Sequence, residues 1–344
     1  MPELNTAKLT LARQFRELSQ KELSERVDIT QASLSRIEKG DLQPSEKTQS
    51  DLISALGFPS SFFYDEYTTT ASTLSFHAYR KKASVSATKI HKIHAELSIK
   101  SQHQEIIYSR LQPNSPQEIP KLVDNPAMLA LYLRDLWQIG DAPIENLTQH
   151  IENMGIDIFL CNFKDIQVDG VTSTTSQGLK AIFLNINQPA DRYRFSLAHE
   201  LCHYLLHGHE FCATPAMEEQ ANQFASFLLM PESALKEALK TTRLRDFAQL
   251  KQTWKVSMAA LIYRAKQLEC ISAAQSTSLY KQMSMHGFRT VEPYAFEQEK
   301  PQRVHNLLKK LASDDALPST LHISSSDFEQ FYPNFYAAQE MPVT

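Results

Sequence analysis

Arg194-Phe-Ser-Leu-Ala-His199-Glu200-Leu-Cys202-His203-Tyr-Leu-Leu-His207 is the stretch around which the chain can be read. It holds no Gly or Pro, and Phe195, Leu197, Ala198, Leu201, Leu205 and Leu206 make it strongly apolar, so it reads as a buried helix. Residues four apart share a helix face, so His199 and His203 can present two imidazole nitrogens to one metal ion. Glu200 sits about 100° round the helix from His199, near enough to reach a water on that ion without ligating it. Zinc lowers the pKa of such a water to about 7, and Glu200 is placed to take its proton during attack on a carbonyl. Two buried histidines and a buried glutamate need a compensating partner, which a metal supplies.

Three residues compete as third ligand. His209 lies six after His203, but that spacing needs a glycine three after the second histidine, where Leu206 stands. His207 continues the same face, yet a straight helix cannot close ligands at i, i+4 and i+8 on one ion. Glu218 begins a second helical segment, Met217-Glu-Glu-Gln-Ala-Asn-Gln-Phe-Ala225, giving two His from one helix and a Glu from the next. Asn222, four residues on, is placed to steady the site, and Glu219 is the fallback on a face turned by about 100°. His207 and Tyr193 are candidates for stabilising an oxyanion.

A second pattern stands near the N-terminus. Leu18-Ser-Gln-Lys-Glu-Leu-Ser-Glu-Arg-Val27 is followed by Asp28-Ile-Thr30 and then Gln31-Ala-Ser-Leu-Ser-Arg-Ile-Glu-Lys-Gly40. Ser19 with Glu22 forms a capping box, Thr30 can cap the next helix, and a three-residue connection is helix-turn-helix spacing. Leu23, Val27, Leu34 and Ile37 form the shared core and leave Gln31, Ser33 and Arg36 outward. Gln suits adenine and Arg suits guanine at the base edges. Residues 1–60 hold eight Lys/Arg and nine Asp/Glu, so nonspecific attraction to DNA is weak.

RYRFSLAHELCHYLLH (192–207) followed by MEEQANQFASFLLMP (217–231) resembles the ImmA/IrrE family of metallopeptidases. The resemblance implies zinc held by His199, His203 and Glu218, with Glu200 as general base. Cys202 stands where the family commonly has Gly and reads as a packing residue. The run from Trp254 to Ala265, and His286-Gly-Phe-Arg with Glu292-Pro293, are similar to the family's continuation. The N-terminal pattern resembles the XRE, or phage-repressor, family. That resemblance implies Gln31, Ser33 and Arg36 at the major groove, Gln20 at a phosphate, an Arg13–Glu38 ion pair, and homodimers on palindromic operators.

The rest of the chain is consistent with a helical protein. Glycine is scarce, 8 of 344 residues, and the net charge of -4 gives no global attraction to nucleic acid. Cys161, Cys202, Cys212 and Cys270 form no CxxC pair and read as reduced thiols. With no signal-peptide pattern at the start and no run near the ~20 apolar residues that span a bilayer, the expectation is a cytoplasmic protein with no membrane partner. Helices are expected at 86–111, 126–138, 141–153 (capped by Asp141), 194–206, 216–229, 232–240, 244–254, 257–269 and 303–312, with strands at 156–160 and 181–186. Lys89, His91, Lys92 and His94 mark a solvated face of the first. Tyr67–Ser75 reads as linker, and Pro113, Pro116 and Pro120 as a break.

The expected fold class is mainly α with a small α+β part. An all-α helix-turn-helix domain (1–66) is followed by a linker and long helix (67–120). A zincin-like, gluzincin-type metallopeptidase domain (121–290) and a helical C-terminal extension (291–344) complete it. The expected function is a DNA-binding regulatory zinc metalloendopeptidase, set on operator DNA or docked to a related repressor. The resemblance points to a helix-turn-helix transcriptional repressor as protein substrate, in a stress-response or mobile-element switch. The alternatives are an XRE regulator whose zinc domain senses a ligand or partner without proteolysis, and a component of a toxin–antitoxin module. The intact His199, Glu200, His203 and Glu218 favour the protease, since a sensor has no need of Glu200.

Overall fold

The computed structural model describes residues 4–64, 86–114, 125–163, 168–175, 177–207, 214–312, 317–333 and 335. The linker read at 67–75, Pro116, Pro120, His209 and Cys212 lie outside the described residues.

The chain opens with α1 (Thr6–Phe15), α2 (Gln20–Arg26), α3 (Gln31–Glu38), α4 (Glu46–Leu56) and α5 (Ser60–Tyr64). The first four start where a short polar side chain can take up free backbone N–H groups: Asn5, Ser19, Thr30 and Ser45 each accept from the following turn. Ser19 and Glu22 form the reciprocal box read from the sequence. Gly57, with φ 66°, closes α4 in the left-handed region.

Next comes α6 (Ala87–Leu111), capped by Ser86. Only its first turns are solvated: His91 is exposed, Lys89, Lys92 and His94 are half-buried, and residues 95–107 are buried on every side. So polar a helix can be internal because its neighbours satisfy it. Lys100 pairs with Glu96 at 3.0 Å and donates to the Leu160 carbonyl at 2.5 Å. Gln104 donates to Asp157 at 2.7 Å, and Gln102 accepts from Lys8 at 2.7 Å.

Then follow α7 (Pro126–Leu136), α8 (Leu147–Asn153), β1 (Asp157–Cys161), β2 (Gly170–Thr174) and β3 (Lys180–Asn185). The expected helix from Asp141 is shorter: it begins after Asn146, whose side chain caps Gln149. The Glu299 carboxylate also accepts from Leu147 N and Thr148 N, fixing the start from far along the chain. The three strands form one sheet of order β1-β3-β2, with β1 parallel and β2 antiparallel to β3. Alternation along the strands splits the interior in two. Phe159, Cys161, Ala181 and Phe183 pack with α1, α6 and the C-terminal helices; Ile158, Ile182 and Leu184 pack with the metal-site helices described below.

Those are α9 (Ala190–Leu206) and α10 (Pro215–Leu229). Beyond them lie α11 (Glu232–Leu235), α12 (Leu244–Trp254), α13 (Met258–Gln267) and α14 (Ala273–Met285), then α15 (Arg303–Leu311), α16 (Leu317–Thr320) and α17 (Ser325–Phe331). The helix expected over 232–240 stops at Leu235, and Lys240 N bonds to the Glu237 carbonyl in a tighter turn. α17 closes over α1: Arg16 makes a two-pronged pair with Asp327 at 2.6 and 2.8 Å, and Phe15 stacks on Phe331. No helix among the described residues is long and apolar enough to cross a membrane.

Candidate metal centre and DNA-reading helix

α9 and α10 run antiparallel, so the end of one faces the start of the other. His203 meets Glu218, and one turn back His199 meets Asn222. The Nε2 atoms of His199 and His203 lie 3.2 Å apart. Glu218 Oε2 is 3.4 Å from the first and Oε1 is 3.5 Å from the second. A tetrahedral ion with bonds of about 2.0–2.1 Å separates its ligand atoms by about 3.3–3.4 Å, which these distances match. Among the described residues these three form the one His/Cys/Asp/Glu group that could hold a metal ion. Glu219 instead is exposed and accepts from Gln223.

The partners behind the histidines orient them. His199 Nδ1 lies 3.1 Å from Asn222 Oδ1, an acceptor, so Nδ1 carries the proton and Nε2 offers its lone pair. His203 Nδ1 is 3.0 Å from His207 Nδ1, and His207 Nε2 is 3.0 Å from Gln220 Oε1. One proton arrangement satisfies this chain: His203 donates to His207, which donates to Gln220. It leaves His203 Nε2 as a lone pair too. Two lone pairs and a carboxylate converging on one point suit a cation. When protons take the place of a cation on the two Nε2 atoms, hydrogen bonds from His199 and His203 hold the Glu218 carboxyl well below the usual carboxylate range. Burial pushes His199 down, but its hydrogen bond with Glu218 and the nearby charges of Glu200 and Glu218 outweigh this and raise it.

Glu200 is buried and lies off the triad, against β2. Thr172 Oγ1 is 2.8 Å from its Oε2. A Cβ at Gly170 would stand 2.7 Å from Glu200 Cγ and 2.8 Å from Leu184 Cδ2, so the strand can pass this closely only with glycine there. The short polar sequence Gly170-Val-Thr-Ser-Thr174 forms a strand beyond the two expected from the sequence; its β-branched Val171, Thr172 and Thr174 are the available signal. Tyr193 is not at the centre: it is wholly buried, with its hydroxyl 3.3 Å from Thr148. His207 stands behind His203 rather than joining the triad. Cys202 is buried packing, its thiol pushed up to about 12 by burial.

In the N-terminal helices, Arg13 and Glu38 form the expected ion pair, two-pronged at 2.6 and 3.0 Å. Gln20 donates to Glu38 at 2.8 Å, so its side chain supports that pair. On α3, Gln31 and Arg36 are exposed, while Ser33 is half-buried and bonded to the capping Thr30.

Residues 151–266 match the family model described as IrrE N-terminal-like domain, a peptidase family. Residues 11–63 match the helix-turn-helix model. The IrrE-like segment contains β1 to β3, α9, α10 and the whole triad; the helix-turn-helix segment contains α2 and α3. The chain therefore joins an XRE-type DNA-binding element to a metallopeptidase-like domain. No curated protein matches it.

Proposed function

We propose that this chain is a zinc-dependent endopeptidase that binds operator DNA and cleaves a helix-turn-helix repressor, switching on the genes that repressor holds off. The observation that carries the reading is the convergence of His199, His203 and Glu218 with a second, non-converging carboxylate, Glu200, beside them. Zinc bound by the triad supplies a Lewis acid that polarises a carbonyl and acidifies water. Glu200, held by Thr172, accepts the proton of the attacking water and delivers it to the leaving amine. β2 pairs with β3 on one side only among the described strands, and its other edge offers main-chain groups to an extended peptide. Gln31, Ser33 and Arg36 read the major groove from a homodimer in the cytoplasm, with Gln20 near a phosphate.

The test is reporter output beside an immunoblot of the candidate repressor in cells carrying wild type, Glu200→Gln or His203→Ala. Both variants should leave the repressor uncut and its genes off. Full regulation by Glu200→Gln would replace the protease with a sensor that needs metal but no turnover.

A further inference from the structure

The helix faces that carry the triad continue beyond it. On α9 the face runs back from His203 through His199 to Phe195, each step four residues; on antiparallel α10 it runs forward from Glu218 through Asn222 to Ser226, with Met230 just past the helix end. Phe195, Asn222, Ser226 and Met230 on these faces line a neighbouring cleft, beside the triad rather than around it. The cleft has a volume of about 810 Å³, and Asn222 in its lining is the partner of His199. A volume of roughly 300–1,000 Å³ is typical of a site that takes a small ligand or a few side chains. The far wall of the cleft comes from Tyr263 on α13 and from Phe288, Val291 and Phe296 on the segment after α14. Tyr263 and Val291 are among the few large apolar residues left exposed among the described residues, at 49% and 73%.

This wall is fixed in place. Glu292 accepts from Lys251 Nζ and from Met258 N, each at 2.8 Å, and from Ala259 N at 3.3 Å, capping α13. Lys251 also pairs with Asp191 at the start of α9. One buried ammonium therefore ties the wall to the helix that carries the histidines. Tyr263 lies inside the matched family segment, and residues 286–296 lie just beyond it.

We propose that the cleft is a specificity site for a large apolar side chain, aromatic or long aliphatic, of the peptide whose neighbouring bond lies at the metal centre. The proposal rests on the peptidase reading for its chemistry, and for its place on the helix faces shared with the triad and on Asn222, which lines the cleft and meets His199. Such a pocket discriminates by about 10–200-fold per methylene-scale difference.

The experiment uses zinc-loaded full-length protein and quenched fluorescent octapeptides that differ only in one central residue, Phe, Leu, Ala or Asp. Binding of the same peptides to Glu200→Gln is followed by fluorescence polarisation. Phe and Leu peptides should exceed Ala in kcat/KM by at least about ten-fold and bind correspondingly tighter. Val291→Asp, at an exposed position that tolerates charge, should collapse both ratios, and Ala260→Trp, filling the cleft, should do the same. Hydrolysis with no apolar preference, or a preference both variants leave intact, overturns the cleft and leaves the peptidase standing. Selective binding abolished by Val291→Asp without hydrolysis at any peptide sinks the peptidase and retains the cleft. Neither selective binding nor selective hydrolysis overturns the cleft.

Discussion

The candidate metal centre and the α3 face proposed to read DNA both present their residues from helices, yet they are finished differently. At the metal centre both histidines and Glu200 have a second residue holding them: Asn222 behind His199, His207 and Gln220 behind His203, Thr172 on Glu200. On α3, Gln31 and Arg36 project into solvent, and Arg36 has only a long 3.5 Å contact to the Asp41 carbonyl. What is held fast in the N-terminal element is its frame: Glu38 gathers Arg13 and Gln20. An ion demands donors fixed to tenths of an ångström, so the protein immobilises them in advance. A DNA groove supplies its own partners, so on the proposed function the scaffold is fixed and the reading side chains would be ordered on binding.

The contrast can be broken at its strongest point, the contact of β2 with Glu200. Gly170→Ala should lower peptide hydrolysis about 100-fold while zinc content holds, because the added methyl displaces a base rather than a ligand. Parallel activity and zinc assays check this; unaltered kcat would mean that the strand does not position Glu200. Asn222→Ala should weaken zinc by about 10–100-fold in a chelator competition, with Glu219→Ala as the neighbour that changes nothing. If Glu219→Ala weakens zinc more, the third ligand has been placed on the wrong face. Arg36→Ala should cost about 1–3 kcal/mol on a specific operator and relax the preference at one base position. Equal affinity of wild type and Arg36→Ala in a titration would mark α3 as a protein-docking surface.

Local order was legible where it depends on near neighbours. His199, Glu200 and His203 lie on one helix, and the caps Ser19 and Thr30 act within three residues. Glu218 was separable from Glu219 because helical periodicity sets Asn222 beneath it. What the sequence hid was supplied from far away. The interior of α6 reads as polar, and only the partners Leu160 and Asp157 make it a core helix. Gly170 and Thr172 reach Glu200 across roughly thirty residues of chain. α14, rich in Ser and Gln, has little apolar periodicity, although the box of Ser272 with Gln275 announced its start. Glu299 caps α8 and pairs with Arg194, a bond no short-range pattern signals.

The central claim is a division of labour: three residues hold zinc and a fourth moves the proton. Zinc content and hydrolysis of one quenched peptide, measured side by side on purified wild type, His203→Ala and Glu200→Gln, test it most directly. Wild type should carry about one zinc per chain and cleave. His203→Ala should lose both, and Glu200→Gln should keep the zinc while hydrolysis falls about 100-fold or more. Zinc lost from Glu200→Gln, or hydrolysis retained by it, would contradict the account.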